Sequence, residues 1–179
     1  IAQVDGKSRC HQVSMKKGLV LGRFQPFHLG HLNLIQTVLK DKNEPLICIG
    51  SAQCAHTKDN PFTVKERKDM VKLVMAELNC NYTIYEIPDI NNYDKYVSHL
   101  EEFVPKFDTV YSGNTLVQRL FQTAGYKIVI PKMINREVWE GAAIRQAMTE
   151  GDEWEGAVPP QIVDMIYHLN VIERLKNLA

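Results

Sequence analysis

Short apolar runs alternate with segments of helical apolar spacing along most of the chain. Five runs have the length and the apolar character of buried strands. They are Gly18–Gly22 (GLVLG), Leu46–Gly50 (LICIG), Tyr82–Ile87 (YTIYEI), Asp108–Ser112 (DTVYS) and Tyr126–Ile130 (YKIVI). Continuous apolar runs are typical of strands that are covered on both faces, as in parallel sheets.

Helical segments separate these strands and follow the last of them. The predicted helices are Gly30–Lys40, Val64–Leu78, Asp94–Val104, Asn114–Phe121, Ala142–Thr149 and Gln161–Leu178. The second begins at a T-x-x-E capping box formed by Thr63 and Glu66. The alternation predicts an α/β fold: a Rossmann-like, doubly wound parallel sheet of about five strands with a C-terminal helical segment. Ligands of such sheets bind at the carboxyl ends of the strands.

The composition is ordinary for a globular protein, and it disfavours nucleic-acid-binding and membrane-spanning proteins. The 179 residues suit one domain, and 21 Lys and Arg balance 21 Asp and Glu. Zero net charge disfavours a nucleic-acid partner, and no apolar run reaches the roughly 18 residues of a membrane helix. Residues 1–75 nevertheless carry 12 basic and 6 acidic residues. This unevenness either arises by chance or indicates an anion site in that half.

Cysteine usage and the first residues bear on location and domain limits. The four cysteines, Cys10, Cys48, Cys54 and Cys80, form no C-x-x-C pair, which disfavours a zinc site or a disulfide framework and suits the reducing cytoplasm. Residues 1–14 are polar and lack the apolar stretch of a signal peptide, and the first methionine is Met15. We expect residues 1–14 to be a leader or an added extension and residues 15–179 to form a single domain.

The loop after the first strand, GRFQPFHLGH, combines groups that bind phosphate. His28 and His31 are three residues apart and point to one side of a helical turn. Gly30 permits close backbone approach at the helix start, where amides and the helix dipole favour anions. Arg23 adds a forked, permanent cation. Two other interpretations stay open: the histidines could bind a metal ion, or they could be structural.

The loop contains neither the dinucleotide-binding nor the Walker motif, but it resembles another signature. Its H-x-G-H element is similar to that of the nucleotidyltransferase superfamily. Longer blocks resemble the archaeal-type nicotinamide mononucleotide (NMN) adenylyltransferases. These blocks are Gly22–His31, Gly50–Gln53, His56–Thr63, Arg67 and Tyr111–Phe121. Because five blocks occur in order, the resemblance covers essentially all of Met15–Ala179.

The resemblance implies an enzyme that transfers AMP from ATP to NMN and forms NAD and pyrophosphate. It implies Mg2+ with ATP, direct in-line attack, and a homo-oligomer such as a hexamer. It assigns catalysis to His28, His31, Arg23 and Arg145. It assigns ATP binding to Gly22, Phe24, Pro26, Phe27, Gly30, Ser112, Gly113, Asn114 and Ile144. It assigns NMN binding to Gly50, Ser51, Gln53, Asp89, Ile90 and Tyr96, and it assigns no residue as a metal ligand.

The second superfamily signature is altered in this chain. Arg145, which the resemblance places on the departing phosphates, is kept, but Glu140 and Ala142 stand where serine and threonine are expected. A carboxylate beside a polyphosphate is unfavourable unless it turns away or shares Mg2+. Two alternatives follow: an adenylyltransferase that acts on FMN or phosphopantetheine, or a nucleotide-binding protein without catalysis.

Overall fold

The structure is a computed structural model that describes residues 15–132 and 139–178. The predicted extension at residues 1–14, with Cys10, lies outside the described residues. Five strands form one parallel sheet in the order β3-β2-β1-β4-β5. They are β1 (Lys17–Gly22), β2 (Glu44–Ile49), β3 (Thr83–Glu86), β4 (Thr109–Tyr111) and β5 (Lys127–Val129). The predicted five-stranded α/β fold is confirmed.

Helices cover both faces of this sheet. They are α1 (Leu29–Lys40), α2 (Val64–Leu78), α3 (Tyr93–Phe103), α4 (Thr115–Thr123), α5 (Gly141–Glu150), α6 (Pro160–His168) and α7 (Val171–Asn177). Alternate residues of a strand pack into two separate cores, because successive side chains point to opposite faces of the sheet. Val20 packs with α1, α2 and α5 to α7, whereas its neighbour Leu19 packs with α3 and α4. The sheet is therefore doubly wound.

The capping box at the start of α2 is confirmed. The Thr63 hydroxyl accepts a bond from the Glu66 amide at 3.2 Å, and the Thr63 amide donates to Glu66 Oε2 at 2.8 Å. The same carboxylate binds the C-terminal region, because Arg174 donates to both Glu66 oxygens at 2.9 Å. Burial and these bonds act in opposite directions on the Glu66 carboxyl, and the net result is a lowered pKa. The Arg174–Glu66 ion pair therefore links helix α7 to the first turn of α2.

One predicted element is wrong. The segment Gln161–Leu178 is not a single helix, because α6 ends at His168 and α7 starts at Val171. Asn170 between them has a left-handed backbone with φ of 53°. Asparagine tolerates this conformation better than most residues. The break lets Val171 and Leu175 turn back into the core beside α5.

Candidate active site

A cavity of about 540 Å³ opens at the carboxyl ends of the strands. It lies at the junction of β1 and β4, where the strand order reverses, as expected for the ligand site of a doubly wound sheet. Its floor is the loop from β1 to α1, and its walls come from the β2 and β3 side and from α4. The lining comprises Leu21, Gly22, Arg23, His28, Gly30, His31, Leu34, Gly50, Ser51, Asp89, Tyr93, Tyr96, Ser112, Gly113, Asn114, Leu116, Val117, Leu120, Trp139 and Glu140.

The loop between β1 and α1 is held by its own side chains. Phe24 and Phe27 are fully buried, and Phe24 has a left-handed backbone with φ of 53°. The Gln25 side chain is also buried and pairs with the backbone of Phe62: its Nε2 donates to Phe62 O at 3.0 Å, and its Oε1 accepts from Phe62 N at 2.9 Å. These contacts fix the loop to the segment that precedes α2.

His28 and His31 form a stacked pair on this rigid loop. Their ring centroids are 3.7 Å apart, and the His31 ring also stacks on Phe24 at 4.3 Å. The His28 amide donates to His31 Nδ1 at 3.2 Å, so neutral His31 carries its proton on Nε2. His28 Nδ1 is buried and has no hydrogen-bond partner in the described part of the chain. These contacts fix the orientation of both rings, and His28 Nδ1 can still form a hydrogen bond.

Two glycines make room for the two imidazoles. A Cβ at Gly22 would lie 2.9 Å from His31 Nε2, and a Cβ at Gly30 would lie 2.9 Å from His28 Nδ1. Both distances are shorter than real Cβ atoms show, so any larger residue would push an imidazole out of place. Gly22 and Gly30 therefore leave the space that the rings of His31 and His28 occupy.

Burial keeps both imidazoles neutral in the free protein. Desolvation lowers the pKa of His28 to about 3. Desolvation, with a smaller effect of the His28 charge, also lowers the pKa of His31 well below its ordinary value. Neutral imidazole still donates one N–H bond, and a bound phosphate would favour the protonated form. The pair is suited to meet negative charge that arrives or develops in the cavity.

Arg67 is a buried guanidinium that joins the loops around the cavity. Although charged, it is fully buried, and burial is the main reason why its pKa is lowered. Its donors bind backbone carbonyls of three segments: the β1 to α1 loop, the loop after β2, and the start of α2. The acceptors are Arg23 O (3.0 Å), Gly50 O (2.8 Å), Ser51 O (3.1 Å), Ala52 O (3.3 Å), Cys54 O (3.3 Å) and Thr63 O (3.4 Å). Sequence reasoning noted Arg67 only as part of the resemblance.

Arg145 reaches the same loop from helix α5. It is buried, and its Nη1 donates to Gln25 O at 2.8 Å. Its Nε donates to Lys58 O at 3.2 Å, and its Nη2 lies 3.5 Å from Asp59 Oδ1. Burial lowers its pKa, and so, to a smaller extent, does the charge of Arg23. Arg145 is not part of the cavity lining described above.

The start of α4 supplies the wall on the β4 side. Asn114 caps the helix, and its Oδ1 accepts bonds from Leu116 N at 2.9 Å and Val117 N at 3.2 Å. The Asn114 amide in turn donates to the Ser112 hydroxyl at 3.1 Å. Leu120 follows one turn along the same helix face and also lines the cavity. This wall combines backbone and hydroxyl groups with an aliphatic surface that suits a base.

The opposite wall is acidic and aromatic. Gln53 fixes Asp89 by two backbone bonds, with Nε2 donating to Asp89 O at 3.0 Å and Asp89 N donating to Oε1 at 2.9 Å. Ser51 then donates to Asp89 Oδ2 at 3.2 Å. Tyr96 lies in the same wall, and burial and then the Asp89 charge raise its pKa to about 12. Tyr93 is 63% exposed at the mouth of the cavity.

The structure brings most of the assigned residues to this cavity. The assigned residues outside its lining are Phe24, Pro26, Phe27, Gln53, Ile90, Ile144 and Arg145. Several of these support the lining, as Gln53 does through Asp89. Sequence reasoning did not assign the lining residues Leu21, Leu34, Tyr93, Leu116, Val117, Leu120, Trp139 and Glu140. On α4 a signal was available, because these apolar residues recur at helical spacing just after the Asn114 cap.

Residues 15–132 and 139–178 bear on metal binding and membrane insertion in two ways. His, Cys, Asp and Glu side chains form no group of three or more there that could hold a metal ion. None of the described helices combines the length and apolar character needed to cross a membrane. The described cysteines, Cys48, Cys54 and Cys80, are free.

The profile of the cytidylyltransferase-like family matches residues 19–147, a span that contains both imidazoles, Arg67 and Arg145. The chain belongs to this family. The nicotinamide-nucleotide adenylyltransferase of Thermoplasma acidophilum is 41% identical over 165 residues, covering 92% of this chain and 92% of that protein. The enzyme of Pyrococcus furiosus is 40% identical over 169 residues, covering 92% and 90%. Within the family, the chain belongs with the nicotinamide-nucleotide adenylyltransferases.

The fold is shared with a crystal structure of a bifunctional NMN adenylyltransferase/ADP ribose pyrophosphatase from Francisella tularensis, which is complexed with AMP and a Mn ion. The TM-score is 0.69 at 18% identity, and the match covers 91% of this chain. This chain spans about half of that protein, since 52% of the Francisella chain is covered. At this identity the likeness shows the fold.

Proposed function

We propose that this protein transfers AMP from ATP to NMN, forming NAD and pyrophosphate, and so acts in NAD biosynthesis. The observation that carries the proposal is the position of the imidazole pair, which lies between two walls that can each take a base. The near-full-length similarity to nicotinamide-nucleotide adenylyltransferases specifies NMN as the acceptor. FMN and phosphopantetheine are the alternative acceptors within the superfamily.

The chemistry of the two walls indicates which nucleotide each one holds. The pyridinium ring of NMN is cationic, so it is favoured at the wall that carries Asp89 and Tyr96. Adenosine then lies against Ser112, Gly113 and Asn114 at the start of α4. The phosphates of both nucleotides meet at the β1 to α1 loop, where His28, His31 and Arg23 are placed.

The reaction follows from this arrangement. A phosphate oxygen of NMN attacks the α-phosphorus of ATP. The bond between that phosphorus and the oxygen that bridges the α- and β-phosphates breaks, and pyrophosphate leaves with this oxygen. The protein holds the two phosphates in line and supplies no nucleophile of its own. The imidazole N–H groups and Arg23 donate to the oxygens on which charge increases, and Arg145 binds the leaving phosphates. Because buried contacts hold the loop that carries both imidazoles, these two donors need little reorganisation.

Mg2+ is proposed as part of the substrate MgATP. Magnesium commonly binds through substrate phosphates with one or two carboxylates. Asp89 and Glu140 are the carboxylates of the described lining, and Glu140, next to Trp139 and Gly30, is the one at the phosphate end. Magnesium would neutralise part of the triphosphate charge there.

An acceptor panel tests the proposal. Purified protein with MgATP and NMN should release pyrophosphate and yield NAD, measured by chromatography, whereas FMN and phosphopantetheine should give neither. His28→Ala should reduce turnover about 10²-fold or more, as for loss of a transition-state donor. His168→Ala, an exposed histidine at the end of α6, should retain the wild-type rate. Pyrophosphate release with FMN but not with NMN would overturn the assignment.

Two further proposals rest on the family and on cysteine usage. We propose a homo-oligomer, with a hexamer as the specific expectation, and light scattering after size exclusion measures its mass. We also propose that the protein works in the cytoplasm, since the described cysteines are free. Fractionation of its native cells tests that location.

A further inference from the structure

A tight turn in the loop between β2 and α2 covers the buried Arg145. Thr57 and Asn60 exchange backbone bonds of 3.2 and 3.1 Å, which close residues 57–60 into a turn. From this turn, Lys58 O and the Asp59 carboxylate both face the guanidinium. The Arg145 side chain is 7% exposed and that of Asp59 is 78% exposed. The carboxylate therefore lies on the solvent side of the cation.

The donors of Arg145 differ in how firmly they are bound. Nη1 holds Gln25 O at 2.8 Å inside the protein, whereas Nη2 meets Asp59 Oδ1 at 3.5 Å near the surface. An ion pair this long and this exposed contributes little stability. A phosphate carries more negative charge than a carboxylate and has three acceptor oxygens. The Nη2 edge is therefore the part of Arg145 that can exchange its partner for a phosphate.

We propose that Asp59 sets the affinity for ATP by competing with the β- and γ-phosphates for Arg145. The inference rests on the proposed function, in which Arg145 binds the departing phosphates. In the free protein Asp59 neutralises Arg145 and holds the 57–60 turn over it. ATP must displace this carboxylate before Nη2 can bind phosphate. Asp59 is an affinity-determining residue that acts through Arg145.

The affinities for ATP, ADP and AMP, which carry three, two and one phosphates, test whether Asp59 competes with phosphate for Arg145. Asp59→Asn removes the charge and keeps the shape, so it should lower the Kd of ATP about two- to five-fold, the range expected for an exposed ion pair. The gain should be smaller for ADP and absent for AMP, which lacks the competing phosphates. Asp69→Asn is the matched control: Asp69 pairs with Lys65 at 2.8 Å on α2, away from the cavity, and should leave all three values unchanged. Calorimetry without acceptor measures the constants.

The same substitution in an Arg145→Ala background shows whether Asp59 acts through Arg145. There, Asp59→Asn should no longer tighten ATP binding. An equal gain in both backgrounds would show a general charge effect and overturn the proposal, as would equal gains for AMP and ATP. Weaker MgATP binding in Asp59→Asn would make Asp59 a metal or nucleotide contact and also overturn it. These outcomes are independent of the acceptor, so failure to make NAD would contradict the proposed function and not this inference.

Discussion

Acid should destabilise this protein through two histidines: His31, which is buried, and His28, which is half-buried in the wall of the cavity. In the unfolded chain His28 ionises at its ordinary pKa of 6.5, whereas burial lowers that pKa to about 3 in the folded protein. Between these two pH values the unfolded state holds a proton that the folded state does not. Lowering the pH through this window therefore favours unfolding. The stabilisation is complete above pH 6.5 and is lost as the pH falls below it.

The size of the effect follows from the difference in protons bound. One pKa unit corresponds to about 1.4 kcal/mol, so a change from pH 7.5 to pH 5.5 removes about 1.4 kcal/mol through His28 alone. Because pH 5.5 is still far above the folded pKa, this value depends little on how low that pKa lies. His31 shifts in the same direction and adds to the loss. Such a change is a large fraction of the roughly 5–15 kcal/mol that stabilises a typical domain.

Urea unfolding at pH 7.5, 6.5 and 5.5 measures the effect. The comparison is between the wild-type protein and His28→Gln, which keeps a polar side chain but does not titrate. At each pH the free energy of unfolding is extrapolated to water, at constant ionic strength. The variant should lose about 1.4 kcal/mol less than the wild type between the two end points.

Parallel pH profiles for the two proteins would refute the reasoning. They would mean that His28 takes up protons equally in the folded and the unfolded chain, so that burial does not keep it neutral. A larger loss in the variant would mean that the folded state stabilises a charged His28, and the sign of the argument would then be wrong.

Three other substitutions test contacts of the framework. Gly22→Ala should lower stability by about 1–3 kcal/mol by overpacking against His31 and should slow turnover, with thermal unfolding and steady-state kinetics as the measurements. Arg67→Met should cost at least about 3 kcal/mol, because several buried carbonyls lose their donor; an unchanged unfolding midpoint would argue against the network. Arg174→Met should cost about 1–3 kcal/mol by freeing α7 from α2, whereas Lys65→Met in an exposed pair should cost less than about 1 kcal/mol in the same urea titration.

The sequence predicted the elements of the fold well, because their signals are local. Apolar runs such as LICIG identify buried strands, and the Thr63 capping box marks the start of α2 within one residue. The order of the strands was not predicted, since it depends on contacts between distant segments. The break at Asn170 was missed because the apolar spacing continues across it, and only the packing of Val171 into the core requires the turn.

The site was predictable where it follows a motif and less so where it depends on packing. The sequence predicted a phosphate site in the first loop because His28, His31 and Arg23 have ligand chemistry at close spacing, and all three line the cavity. The role of Arg67 was harder to see, although it stands at an apolar position of α2, three residues after Val64 and three before Met70. An arginine on a buried stripe is a signal, but its carbonyl partners come from loops far apart in sequence. Likewise, the contact between Arg145 and Asp59 joins residues 86 apart.

The carbonyl network of Arg67 has a consequence for motion. One side chain binds the backbone of the β1 to α1 loop, the loop after β2 and the start of α2, so none of these can shift without breaking bonds in the others. We therefore expect these three segments to move together as one block. Motions that open the cavity are then expected at its periphery, at the 57–60 turn and at the walls formed by α3 and α4. Hydrogen exchange should accordingly be slow at the amides of the block and faster at this rim.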